Sequence, residues 1–376
     1  MRAKISLFAA AFLLAGTVSV SAAVLETPAS HVMLLDVSTG TVLLDKNSGE
    51  HMPTSSMSKT MTLYVVFEAL KNGQIKLTDE FPVSKKAWKM EGSKMFVKVD
   101  SKVKVEDLIR GVAIQSGNDA TVVLAEGLGG TEDAFVERMN ERAKALGMND
   151  SHFMNASGWP VPDHYSTAHD LALLAQRLQA DFPEYYHYFG EKEFTFNKIK
   201  QPNRDPLLGK VPGADGIKTG HTEIAGYGLI GSVMRNGRRL ILVANGLDSE
   251  KARAEEGARL LEWGFRNFEN KKLFSAGDQV DAAPVWMGQD AEVPLVAEKD
   301  LTAVLPVSKR SEVKMTIEYT TPLKAPIRKG EPVAKLHILI PDQPPMEISL
   351  LTGAEVKRKG VFGRVADRFH VLLERL

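Results

Sequence analysis

Apolar residues run through 32–35 and 42–44 on either side of Ser38-Thr39-Gly40, so 31–46 reads as a β-hairpin. From 57 to 70 the chain is rich in Leu, Met and Ala and stops at Asn72-Gly73, which predicts a helix. Two further helices are predicted over 105–114 and 118–128, broken at Gln115-Ser116-Gly117. The segment 131–146 has helical amphipathic spacing, with Gly147 at the C-cap position, and 167–178 repeats the pattern. The stretch 216–233 alternates weakly and is rich in glycine. Arg235-Asn236-Gly237-Arg238 is a hairpin turn with a return strand at 240–243, and 250–265 is a long helix. Strands at both ends with helices between them predict an α/β domain: a mixed antiparallel sheet with a helical insertion.

The period changes near Asn270-Lys271-Lys272. Short alternating runs follow, clearest at 313–319, 333–340 and 346–350, between Gly, Pro, Asp and Lys turns. The expected organisation is therefore a first domain over 24–269 and a small all-β domain over 270–357. After Lys357-Arg358-Lys359-Gly360 the spacing becomes helical again. Val361, Val365, Phe369, Leu372 and Leu376 share one stripe, widened by Phe362 and Leu373, with charged residues between them. A C-terminal amphipathic helix over 358–376 is the expectation, lying on the inner-membrane surface.

The other end explains why a membrane is relevant. Arg2 and Lys4 precede an apolar core at 5–16, followed by Ser19, Ser21, Ala22 and Ala23. This pattern predicts a cleaved signal peptide over 1–23. The core is about a dozen residues, short of the roughly 20 that a span requires. The protein is expected to be exported to the periplasm.

Composition narrows the chemistry. The 376 residues hold 47 Lys plus Arg against 47 Asp plus Glu, so no basic excess calls for nucleic acid. There is no cysteine, which removes thiol nucleophiles and thiolate metal sites. Neither His-Glu-x-x-His nor Gly-x-x-x-x-Gly-Lys occurs, so neither metal nor cofactor is expected.

Three Ser-x-x-Lys pairs remain: Ser56 with Lys59, Ser101 with Lys104, and Ser311 with Lys314. On a helix this spacing puts hydroxyl and amine on one face, where a neutral lysine can take the serine proton. The latter two fall in stretches with strand character, where such positions face opposite ways. Only Ser56 opens a predicted helix. Ser116-Gly117-Asn118 falls in a helix break, with a hydroxyl for proton relay and an amide for a substrate carbonyl. Lys218-Thr219-Gly220 falls on a probable strand, followed by His221. Lys218 would bring a second cation that helps keep Lys59 neutral. Thr219 can bond a substrate carboxylate, and Gly220 lets a substrate backbone approach.

The ordered set Ser-x-x-Lys, Ser-x-Asn, Lys-Thr-Gly resembles that of the low-molecular-weight penicillin-binding proteins, serine D-alanyl-D-alanine carboxypeptidases of the bacterial envelope. The segments "PTSSMSKTMT", "IQSGNDA", "GIKTGHTEIAGYGL" and "LLEWGFRNFE", with the two-domain layout, extend the resemblance along the mature chain. It implies a stem peptide ending in D-Ala-D-Ala as substrate and β-lactams as covalent inhibitors. Ser56 would be the nucleophile, Lys59 the base and Ser116 the relay to the leaving amine. Asn118 would orient substrate, and the backbone N–H groups of Ser56 and His221 would form the oxyanion hole. Thr219, Arg253 and Arg204 would meet the terminal carboxylate. The family often has a loop histidine where this chain has Ser157, with Asp170 a candidate partner for that loop. A D,D-endopeptidase or β-lactamase on the same scaffold, or a non-catalytic wall-binding protein, stays open.

Overall fold

Strand alternation sorts the first domain of the chain into two cores. A computed structural model of the protein describes residues 25–363 and 365. The signal peptide expected over 1–23 and all but a few residues of the expected terminal helix lie outside the described residues. The described chain divides into two units, Leu25–Arg266 and the residues from Asn267 on.

The first unit is built on a five-stranded antiparallel sheet of β1 (His31–Asp36), β2 (Thr41–Lys46), β3 (Ala214–Thr222), β4 (Gly226–Arg235) and β5 (Arg238–Leu247), in the order β2-β1-β5-β4-β3. Adjacent residues of a strand point to opposite faces. Accordingly Met33, Leu35, Ile241 and Val243 enter the core on one face, and Val32, Leu34, Leu240 and Leu242 enter that on the other. The weak alternation at 216–233 has a physical cause: it holds most of a hairpin, β3 and β4, whose residues are buried on both faces, so polarity does not alternate.

The larger core lies under helices α1 (Lys59–Lys71), α2 (Val105–Ala113), α3 (Asn118–Gly129), α4 (Glu132–Leu146) and α5 (Ala168–Asp181). Almost every residue of α1 is buried, as befits a helix with no solvent face. The opposite core is covered by α6 (Glu250–Asn267) through Leu260 and Leu261. Thr131 caps α4 through Oγ1, and Gly147 closes it in the left-handed conformation.

The second unit is rich in strands. Its six-stranded sheet runs Lys314–Tyr319, Pro332–Leu339, Met346–Thr352, Glu292–Ala297, Gln279–Trp286, Leu323–Lys324. Phe268–Phe274 pairs with Leu301–Pro306. One local expectation fails here: Ser311 lies in the 3-10 segment Val307–Glu312, not in a strand. Ser311 and Lys314 are both exposed.

Candidate active site

The site begins with a turn. Ser55–Ser58 forms one 3-10 turn that runs into α1, and Ser55 is held at φ 50°. The turn sets the Ser56 hydroxyl over the first helical residue, Lys59, which is wholly buried. Lys59 Nζ lies 2.8 Å from Ser56 Oγ, 2.7 Å from Asn118 Oδ1 and 2.6 Å from the Ser157 carbonyl oxygen. Two of these partners can only accept. A neutral amine has two N–H bonds to give them, which leaves its lone pair for the Ser56 O–H.

The environment favours that neutral form. Burial pushes the Lys59 amine down to about 7, the Arg204 charge pushes the same way, and Asp119 opposes both. At ~1.4 kcal/mol per unit, the interior disfavours the ammonium by roughly 4–5 kcal/mol. Lys218 is expected from the sequence to help in this, but burial and Arg204 lead. Lys218 is itself buried. Its charge is disfavoured by that burial and then by Lys59, Arg204 and Arg253. Its Nζ lies 2.9 Å from Ser116 Oγ and 2.9 Å from the Thr219 carbonyl oxygen.

Eight of the ten residues singled out in the sequence line one cleft of about 670 Å³: Ser56, Ser116, Asn118, Arg204, Thr219, Gly220, His221 and Arg253. The other two, Lys59 and Lys218, are buried and bonded to lining residues. Gly220 is needed for a reason beyond room for substrate. A Cβ there would sit 2.9 Å from the Thr54 carbonyl oxygen and 3.1 Å from Met57 Cγ, so β3 packs directly on the nucleophile turn. Arg253 is buried, its guanidinium 5.6 Å from the Tyr227 ring, and Tyr227 stacks on His221 at 3.9 Å. Arg204 donates to Ser93 Oγ at 2.6 Å.

Several supporting residues escape sequence reasoning. Asp119 is buried and accepts the N–H groups of Met95, Phe96 and Val97 at 2.9, 2.9 and 3.1 Å. Asn118 Nδ2 donates to the Glu91 carbonyl at 2.7 Å, so both first residues of α3 pin the 91–97 loop. An acidic residue in a first helical turn is the only available signal, and it is not specific.

The loop Asn155-Ala156-Ser157-Gly158 carries the third wall. Ser157 reaches Lys59 through its backbone, while its hydroxyl donates to Asn155 Oδ1 at 3.1 Å. Gly158 has φ 74°, and a Cβ there would fall 1.9 Å from the Ser55 carbonyl oxygen. Only glycine fits this interlock of loop and turn. The expected brace differs. Asp170 Oδ2 accepts from the Asp150 N–H at 3.0 Å and the Ser151 hydroxyl at 2.8 Å, upstream of the loop. The loop itself is tied by Ala156, whose N–H donates to Glu132 Oε1 at 3.0 Å and whose carbonyl accepts from Thr62 at 2.6 Å.

Comparison with known proteins supplies the family. The peptidase S11 model, described as D-alanyl-D-alanine carboxypeptidase, matches residues 17–249. The model for the C-terminal domain of penicillin-binding protein 5 matches residues 268–358. The D-alanyl-D-alanine carboxypeptidase DacC of Escherichia coli is 38% identical over 374 residues, covering 96% of this chain and 94% of that protein. The crystal structure of DacD from Francisella tularensis aligns with a TM-score of 0.81 at 31% identity, covering 90% of this chain and 95% of that one. Penicillin-binding protein D2 from Listeria monocytogenes in its ampicillin-bound form aligns with a TM-score of 0.60 at 31% identity, over 64% of this chain and 99% of that one. The chain belongs to the D-alanyl-D-alanine carboxypeptidase family of serine penicillin-binding proteins.

Proposed function

We propose that this chain removes the terminal D-alanine from peptidoglycan stem peptides ending in D-Ala-D-Ala, through an acyl-enzyme on Ser56. The observation that carries the assignment is the Lys59 amine, buried, bonded to two pure acceptors and facing the Ser56 hydroxyl at 2.8 Å. Lys59 takes the Ser56 proton as Oγ attacks the penultimate D-alanine carbonyl. The backbone N–H groups of Ser56 and His221 hold the oxyanion. Ser116, in contact with Lys218, relays the proton held by Lys59 to the leaving amine, so Lys59 is neutral again as D-alanine departs. Water then cleaves the ester and regenerates Ser56. Asn118 orients the substrate amide, while Thr219, Arg204 and Arg253 receive the terminal carboxylate at one end of the cleft. A β-lactam takes the same path as far as the acyl-enzyme and remains there as a covalent inhibitor.

The test is product analysis with a soluble pentapeptide ending in D-Ala-D-Ala. One D-alanine released per peptide, and none from Ser56→Ala, is the expected result. No release with rapid penicillin hydrolysis would mean a β-lactamase.

The chain's place in the cell belongs to the same reading. Residues 1–23 are a leader removed on export, 24–269 the peptidase domain, 270–357 the β-rich domain and 358–376 a membrane-surface helix. The enzyme then works in the periplasm on the outer face of the inner membrane. Val361, Phe362 and Val365 support the anchor, with exposures of 64%, 92% and 48%. Among the described residues no helix is long and apolar enough to cross a membrane. Deleting 361–376 should release the protein from membranes and leave turnover of the soluble peptide unchanged. A truncated protein that still pellets with membranes rules out the anchor.

A further inference from the structure

Behind the nucleophile turn lies a polar chain that the proposed mechanism does not use. His164 is 7% exposed and Ser58 and Thr54 are fully buried. The Met154 N–H donates to His164 Nδ1 at 3.2 Å, so that nitrogen carries no proton. The other nitrogen, Nε2, therefore holds the hydrogen and donates it to Ser58 Oγ at 2.7 Å. Ser58 Oγ also shares a hydrogen bond with Thr54 Oγ1, 2.5 Å away, in which either hydroxyl can donate. The links run in file from Met154 to His164 to Ser58 to Thr54, and the first two have a fixed direction.

The chain ends where the site's walls meet. Met154 precedes the loop whose Ser157 carbonyl holds Lys59. Ser58 lies between Ser56 and Lys59 in the turn, facing away from the cleft. Thr54 offers its carbonyl to the Met57 N–H at 3.1 Å and packs that oxygen against Gly220 of β3. Burial holds His164 down at about 4, with the charges of His152 and Lys59 acting the same way, so the ring is neutral in working conditions.

We infer that His164 is a positioning residue, which through Ser58 and Thr54 locks the nucleophile turn to the Ser157 loop and keeps the Ser56 hydroxyl on the Lys59 lone pair. The inference rests on Ser56 and Lys59 being nucleophile and base. His164 touches neither the substrate nor the reacting atoms. Its effect belongs to the acylation step, because that step depends on a hydroxyl and an amine held within a few tenths of an ångström.

The experiment compares wild type with Ser58→Ala, His164→Gln and the double variant, each in the full chain. A fluorescent penicillin gives the acylation rate under single-turnover conditions, and the soluble pentapeptide gives kcat and KM. Rates are normalised to the fraction folded at the assay temperature. The expected result is acylation slowed roughly 10- to 100-fold in each single variant, with KM unchanged and the double variant no slower than the worse single. Acylation within about twofold of wild type, or losses that multiply in the double variant, would overturn the inference. Ser58→Ala removes one oxygen and little volume, so it decides the matter alone if His164→Gln does not fold. Failure of wild type to label at Ser56 is a separate outcome, which would refute the nucleophile assignment itself.

Discussion

Ser56-x-x-Lys59 and Ser101-x-x-Lys104 have the same spacing and opposite fates. Lys59 is wholly buried at the start of α1, and its amine meets Ser56, Asn118 and the Ser157 carbonyl. Lys104 is exposed at the end of the short strand Lys102–Lys104, and Ser101 gives its hydroxyl to the Lys98 carbonyl at 2.6 Å. The motif supplies an amine and a hydroxyl within reach only when the backbone is helical. Burial then supplies the basicity, since only a desolvated lysine gives up its proton near neutral pH. A Ser-x-x-Lys pattern is thus a statement about local geometry, and the three-dimensional surroundings turn it into a catalyst.

The sharpest way to break this contrast is to remove each lysine in turn. Lys59→Ala should slow acylation by penicillin about 1,000-fold or more, as loss of a general base and of the contacts that orient it. Lys104→Ala and Lys314→Ala should leave the rate within twofold. Labelling should survive Ser101→Ala and Ser311→Ala and disappear in Ser56→Ala, as read by gel fluorescence and peptide mapping. A rate held up in Lys59→Ala would mean that another group takes the proton.

Arg204 tests the source of the basicity. Its charge is the second cause of the lowered Lys59 value, after burial. The base must be neutral to act, so acylation rises with pH through about 7 and then levels. Arg204→Gln removes one opposing cation, which should move that rise to higher pH and also raise KM for a substrate with a terminal carboxylate. Roughly a tenfold loss in kcat/KM at neutral pH is expected. An unshifted pH profile would leave burial as the sole cause.

How much of this was legible beforehand follows from the same physics. Helices, hairpins and the strand-rich second unit appear in the sequence because periodicity and turn residues are local signals. Ser56, Lys59, Ser116, Asn118, Lys218, Thr219 and Gly220 are legible because the ordered motif set is far more specific than any one pair, whereas Arg204 and Arg253 come only with the resemblance. What escaped was the support: Asp119 under the 91–97 loop, Glu132 bracing Ala156, and His164 behind Ser58. Each acts on partners at least twenty residues away or on backbone groups, and no pattern of spacing encodes which N–H a buried carboxylate will accept. In the sequence Gly220 reads as clearance for substrate, and the Thr54 carbonyl requires it as well. Asp170 is a candidate partner for the 155–158 loop in the sequence, but its carboxylate binds Asp150 and Ser151 just upstream, because proximity in sequence does not give the direction of a side chain.

The smallest expected effect separates the two lysines without any substrate. An unfolded lysine holds its proton up to about 10.4. In the folded chain Lys59 holds one only up to about 7. Between those values the unfolded state binds more protons, so stability rises with pH, and it falls again as pH drops toward 7. Lys218, lowered for the same leading reason, adds to the slope. Lys59→Met, which keeps the volume and removes the proton site, should flatten the rise by about 1.4 kcal/mol per pH unit between pH 8 and 9.5, read by urea unfolding. Lys104→Met, which removes an exposed amine of the same motif spacing, serves as the control. Equal slopes in wild type and Lys59→Met would show that the buried amine keeps its proton, and the Lys59 lone pair would then be unavailable to Ser56.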